Sequence, residues 1–149
     1  NRVENNDPTA RRMKFTSPEQ AEKAFYKAFI DRDLDAMRQV WSPQPEVACI
    51  HPGGGLLIGI EAIMVSWRDI FHGASAPQLR VRPVQVHVDN GTAIHIVEEN
   101  IRSAEQGRQA TVIATNVFRH DSDGWLMHLH HASLPLVEPV EASPQPPLH

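Results

Sequence analysis

Apolar side chains change their rhythm once along this chain, and the change divides it in two. Between Ser17 and Phe71 they recur at three- and four-residue intervals, and from Leu79 onward they alternate. Ala21, Ala24, Phe25, Ala28 and Phe29 form the stripe of a first helix. Its start is Ser17-Pro18-Glu19-Gln20, with a capping Ser, a first-turn Pro and a Gln three residues on. Asp33-Leu34-Asp35 opens a second, short helix carrying Leu34, Met37, Val40 and Trp41. Ser42-Pro43-Gln44-Pro45 stops it, because proline neither continues a helix nor tolerates one in the residue before it. A β-branched run, 47–50, breaks at Gly53-Gly54-Gly55. A third helix is expected over 61–71, with Ile63, Met64, Trp67, Ile70 and Phe71 inward and His72-Gly73 as its stop.

Two-residue alternation then predicts strands over 79–88, 92–102, 108–120 and 125–133. Asp89-Asn90-Gly91, Glu105-Gln106-Gly107 and Asp121-Ser122-Asp123-Gly124 are turn sequences between antiparallel neighbours. Pro83 predicts a bulge or a sheet edge, since it has no N–H for a ladder. Helices first and a strand meander afterwards give an α+β fold, a curved sheet wrapped around the helices with room for a pocket. The organisation is a loose arm over 1–16, a domain over 17–134 and a proline-rich tail over 135–149.

Composition narrows the function. At 149 residues, one domain can bury roughly two-thirds of its unfolded surface. A net charge of −4 with no basic run leaves no footprint for nucleic acid or an anionic membrane, and no apolar stretch is long enough to span a bilayer. Cys49 is the single cysteine, so no intrachain disulfide can form, which suits a reducing, cytoplasmic setting. The chain begins at Asn1, and removal of a leader stays open. Gly53-Gly54-Gly55 lacks the lysine and hydroxyl residue of a phosphate loop, no Gly-x-Ser-x-Gly elbow occurs, and no cofactor is expected.

Three passages resemble the NTF2-like (cystatin-like) cone, whose members include SnoaL-like proteins, ketosteroid isomerase and the association domain of calcium/calmodulin-dependent kinase II. Residues 29–35 look like the family's break between its first two helices. Residues 50–55 look like its strand end before the third helix, and 124–133 are similar to its closing strand. The resemblance covers about Glu19 to Ser133. It implies three helices packed in a strongly curved, mainly antiparallel sheet, and it is far less specific for activity.

The resemblance also implies a site. His51 matches the place of the isomerase's general base, where an imidazole could act near neutral pH; the alternative is a histidine that caps the glycine turn. The isomerase's tyrosine falls on Phe25, which cannot donate a hydrogen bond. The cavity-facing sets are Ile94, Ile96, Glu98 and Asn100, then Val112, Ala114, Asn116 and Phe118, then Trp125, Met127, Leu129, His131 and Ser133. A one-residue slip would instead make Glu98 a solvated charge. His51, Glu98 and His131 are the candidate acid/base groups, and Phe25, Trp41, Trp67, Asn116, Phe118 and Met127 the candidate ligand contacts. Trp41 would cover the mouth, and Trp67 has a core reading as well. The kinase association domain has arginines where Glu98 and Asn116 stand, so an uncharged or cationic, largely apolar ligand is expected. His128 and His130 have the spacing of strand-borne metal ligands but no third ligand, and no metal is expected. Val97, Ile101, Ile113 and Val117 on the convex face predict a homodimer. The expected function is small-molecule binding, with proton transfer, dehydration or hydrolysis as the chemistry. The alternative is a non-catalytic oligomerisation module.

Overall fold

The structure, a computed structural model, describes residues 14–73, 78–103, 107 and 109–135. The expected arm and tail therefore lie outside the described residues, apart from 14–16 and Pro135. The helices are α1 (Pro18–Asp31), α2 (Leu34–Val40) and α3 (Ile60–Phe71). The strands are β1 (Ala48–Ile50), β2 (Leu57–Ile58), β3 (Gln78–Asp89), β4 (Thr92–Arg102), β5 (Gln109–Asp121) and β6 (Gly124–Ser133).

Side-chain caps start α1 and α2 where the sequence predicts them, while α3 starts at Gly59 without one. Ser17 Oγ accepts the Gln20 N–H at 3.1 Å. Gln20 reaches back to Thr16 rather than to Ser17, accepting from its N–H at 3.0 Å and its hydroxyl at 2.9 Å. Asp33 caps α2 by accepting the Ala36 N–H at 3.0 Å. Between the two helices, Arg32 takes a left-handed φ of 53° and turns the chain back on itself.

The strands form one sheet in the order β2-β1-β6-β5-β4-β3, with β1 parallel to β6 and the other neighbours antiparallel. The two-residue β2 was not foreseen, because a run that short has no alternation to read. Asn90 and Gly91 both have positive φ, 48° and 74°, which matches the right-handed twist of the β3–β4 hairpin. Pro83 lies on the edge strand, and the register shifts between it and Gln85, as its missing N–H predicts.

One core joins both layers: Ala21, Phe25, Ala28, Met37, Ile63 and Trp67 pack with the sheet's Ala93, Val97, Val112, Ala114 and Phe118. Two helix-face expectations change. Ile70 is exposed, and Trp41 has no exposed surface, so it belongs to the core and not to a cavity mouth.

Strand parity differs from expectation in two places. In β4 the buried residues are Ala93, His95, Val97 and Glu99, standing opposite Phe118, Asn116, Ala114 and Val112 of β5. Glu98 therefore points outward, where Arg82 pairs with it at 2.8 Å. Val97 is buried and Ile101 packs against the core, so neither belongs to the outer apolar face. In β6, Met127 stands opposite Phe118 and Leu129 opposite Val117, which leaves His128 as a bulge residue. Parity inverts across it: Met127 and His130 are buried, and His131 is exposed.

The chain before α1 is anchored too. Phe15 is buried, bridges to Gly124 and accepts the Trp125 N–H at 2.9 Å, so the loose-arm reading fails at its last residues. Gly124 has φ +88°, and a Cβ there would stand 2.5 Å from the Phe15 carbonyl oxygen. Gly124→Ala is accordingly expected to cost at least about 2 kcal/mol in urea unfolding, from left-handed strain plus the clash. Gly107→Ala, also at positive φ but in open space, should cost about 1 kcal/mol.

Candidate functional site

Where α1 meets β4, β5 and β6, a chain of polar side chains crosses an otherwise apolar interior. Tyr26 and Glu22 are four residues apart on α1, so they share one face. His95 and Glu99 do the same at four-residue spacing in β4, and Asn116 and His130 are direct cross-strand partners. The Tyr26 hydroxyl donates to Glu99 Oε2 at 2.7 Å. Asn116 Nδ2 donates to that same hydroxyl oxygen at 3.0 Å and to Glu22 Oε2 at 3.1 Å. Asn116 Oδ1 is then an acceptor, so His130 carries its proton on Nδ1, 2.6 Å away. One line of donors, from His130 through Asn116 and Tyr26, runs toward Glu99, with a branch from Asn116 to Glu22, so along that line each bond polarises the next.

Burial sets the charge states. Glu99 is pushed up to about 7, first by burial and partly by the nearby Glu22, while the Tyr26 hydrogen bond pulls the other way. Burial pushes the His130 imidazole down to about 3, helped by His51 and His131, so it is neutral. Burial and then the Glu99 charge push the Tyr26 phenol far up, so it stays a donor. His95 is buried with its Nδ1 2.9 Å from Glu22 Oε2, yet neither ring nitrogen makes an aligned hydrogen bond. We read the pair as close in space but off-line.

This network reaches solvent on one side. Glu22 and Tyr26 line a cleft of about 650 Å³ between α1 and β3, whose apolar walls are Ile30, Leu79, Val81, Pro83 and Val86. Lys27 is held by Asp31 at the rim at 2.6 Å.

The sequence-predicted residues are distributed differently. Phe25, Trp41, Trp67, Phe118 and Met127 are all fully buried. Phe25 stands 5.5 Å from Trp67, 6.4 Å from Trp41 and 4.8 Å from His130, ring centre to ring centre, so these side chains occupy the cone themselves. Asn116 lies within the polar network. His51 is half-buried at the end of β1, edge-on to Trp67 at 4.8 Å and 6.4 Å from the His130 ring. Its Nε2 meets Ser66 Oγ at 2.9 Å, and that hydroxyl donates to the Ile63 carbonyl at 2.6 Å, so His51 donates and its Nδ1 is the unprotonated nitrogen. Its backbone carbonyl, not its ring, closes the glycine turn by accepting from Gly54 at 2.8 Å. Burial lowers its pKa. Cys49 Sγ lies 3.6 Å from the His51 Nε2, but burial raises the thiol to about 12 and leaves it a weak nucleophile. Glu98 and His131 are not brought to this interior.

Four members went unread: Glu22, Tyr26, Glu99 and His95. Tyr26 is the chain's one tyrosine, and its four-residue spacing from Glu22 was the available signal. Among the described residues, no group of three or more His, Cys, Asp or Glu side chains is placed to hold a metal ion, and no helix is long and apolar enough to cross a membrane.

The family of SnoaL-like domains matches residues 19–137. The chain belongs to that family. Among solved structures, this SnoaL-like domain is similar to a candidate calcium/calmodulin-dependent protein kinase type II association domain from Thiobacillus denitrificans. The two are 40% identical with a TM-score of 0.78, over 83% of this chain and 98% of that one. It is also similar to a candidate dehydratase of the NTF2-like family from Streptomyces avermitilis, at 32% identity and a TM-score of 0.74, covering 80% and 94%. The F-box protein SKIP8 of Arabidopsis thaliana is 27% identical over 114 residues, 76% of this chain but only 48% of that protein, so the chain spans about half of that curated relative.

The charge states have consequences for stability. Between its ordinary 4.5 and about 7, Glu99 keeps its proton in the fold while the unfolded chain gives it up, so the fold loses stability as pH rises through that window. His130 acts oppositely: the fold loses stability as pH falls from 6.5 toward about 3. Glu99→Gln keeps an acceptor for Tyr26 but cannot ionise. It should melt above the unsubstituted protein at pH 8, with the gain disappearing by about pH 4.5 in thermal melts. Tyr26→Phe leaves the buried Glu99 short of a donor and should cost about 2 kcal/mol in chemical unfolding.

Proposed function

We propose that this SnoaL-like domain binds a small, largely apolar molecule bearing an amine or another hydrogen-bond donor in the cleft between α1 and β3. The observation that carries the reading is that two members of the buried network, Glu22 and Tyr26, line that cleft beneath apolar walls. Glu19, Glu22, Lys23, Tyr26, Lys27 and Asp31 share the cleft with its apolar walls, and an apolar concavity with polar groups to orient a ligand suits a small molecule. The ligand's donor would meet the Glu22 carboxylate, and its body would lie against Leu79, Val81 and Val86. An anionic group at the Tyr26 end would face Glu22 with Glu99 behind it, which disfavours it there, while Lys23 and the Asp31-paired Lys27 stand elsewhere in the lining.

Proton transfer is the chemistry this arrangement supports. A bound donor gives its proton to the Tyr26 oxygen as the Tyr26 proton passes to Glu99 Oε2, 2.7 Å away, and the electron pair stays with the donor. A carboxyl held near 7 can give and take that proton around neutral pH. The Streptomyces relative, called a candidate dehydratase, is in keeping with proton-transfer chemistry. His51, beside His130 at the other end of the chain, would position it rather than touch the ligand.

A specific observation favours an assembly role beside this one. The convex face exposes Ile94 at 39% and Ile113 at 38%, with Ile96, Val117 and Leu129 half-buried around them. A homodimer built on this face would cover them, and the Thiobacillus relative carries the name of an association domain.

Two measurements test these readings. In a thermal-shift panel, apolar primary amines should stabilise the protein and carboxylates of the same shape should not, and Glu22→Gln should weaken amine binding about tenfold, which removes about 80% of the shift when the amine is near its Kd. Equal shifts for both ligand sets, or for both proteins, would remove the site. For assembly, sedimentation equilibrium should give twice the chain mass for the unsubstituted protein and a single chain mass for Ile94→Asp/Ile113→Asp.

A further inference from the structure

We infer that the outer face of the sheet carries a second site, a clamp for an oxyanion, built by Arg80 and Arg102. The site is independent of the α1–β3 cleft and takes the opposite charge. Two cross-strand rows make it. Arg102 stands opposite Gln78 on one side and Gln109 on the other, and Asn100 stands between Arg80 and Thr111. These six side chains line a cleft of about 350 Å³. All lie on the face that carries Glu98, away from the helices, because every second residue of β4 points outward.

The arginine placement is what points to an anion. Arg82, on the same face, has Glu98 directly opposite and pairs with it at 2.8 Å. Arg80 and Arg102 have amides and a hydroxyl opposite them instead, and among the described residues neither forms an ion pair. They are diagonal neighbours across β3 and β4, a placement that sets residues about 7–8 Å apart and their Cβ atoms somewhat closer. At that spacing two guanidinium forks can converge on one group of two or three oxygens, the geometry in which arginine excels.

The groups between them are arranged as donors. Thr111 Oγ1 donates to Asn100 Oδ1 at 3.0 Å, which occupies the Asn100 acceptor and leaves its Nδ2 hydrogens for a ligand. Gln78 and Gln109 add amide N–H groups on the next row. Two permanent cations, a spare amide and, among the described lining residues, no carboxylate select a phosphate or carboxylate group. The volume admits one with a small body attached.

This end of the face borders the apolar patch at Ile113, two residues along β5 from Thr111 and about 7 Å away, and runs away from Ile94. Ile94 and Arg102 are eight residues apart on one strand, about 27 Å.

Isothermal titration with inorganic phosphate and, separately, with citrate at constant ionic strength tests the inference. Saturable binding is expected for at least one of them, and which one binds distinguishes a phosphate from a carboxylate ligand. Arg80→Gln/Arg102→Gln should weaken it about tenfold or more, and Arg82→Gln should change it less than about twofold. Thermal melts check that the variants fold, which their exposed positions favour. No saturable heat with either anion, or equal binding by the double variant, overturns the clamp. A changed sedimentation mass in the double variant with anion binding intact also overturns it and makes the arginines an assembly contact.

Discussion

A carboxyl group in a protein interior must lose its charge or find donors, and Glu99 combines a raised pKa with one short bond from Tyr26. Its position dictates much around it. Tyr26 has to reach it from α1, which fixes the rotation of that helix so that Phe25 points into the cone and Tyr26 toward the sheet. Asn116 has to feed Tyr26, which fixes the amide's orientation and in turn the tautomer of His130. Three strands and a helix are thus tied at one point by bonds running in a single direction. An unsatisfied member anywhere along it would carry a desolvation penalty larger than the net worth of one hydrogen bond.

The same network explains why polar residues and core residues occupy adjacent positions without conflict. The inner face of β4 reads Ala93, His95, Val97, Glu99, half of it polar, and packs against a face of β5 that supplies Asn116 among Val112, Ala114 and Phe118. Aromatic rings close the cone above, and the polar chain leaves sideways toward the cleft between α1 and β3. Interior volume goes to packing, and access to the polar groups comes from the side of the helix.

The helices, the hairpin turns and the α+β order were legible because each rests on local chemistry: Ser17 and Asp33 as caps, Asn90-Gly91 at positive φ, Pro83 at an edge. The site was not legible to the same depth. In β4 the outward set contains Ile94 and Ile96 and the inward set His95 and Glu99, so hydrophobicity favoured the wrong face. Only a partner 73 residues away, Tyr26, makes the inward assignment of Glu99 affordable. In β6 the count was sound up to Met127 and failed beyond it, because the sequence around His128 gives no sign of the extra residue. Family likeness did not repair either error, since it supplies a topology and not a register.

The bulge at His128 has a bearing on how this lineage can vary. Met127 and Leu129 already face opposite sides although only one residue separates them. A descendant lacking that residue would have an ordinary strand with every other side chain where it is now, so chain length can drift by one here without penalty to the architecture. The same loss a few positions later would swap His130 for a neighbour and sever the interior relay. Length change in this strand is therefore tolerable at one point and disruptive two residues on.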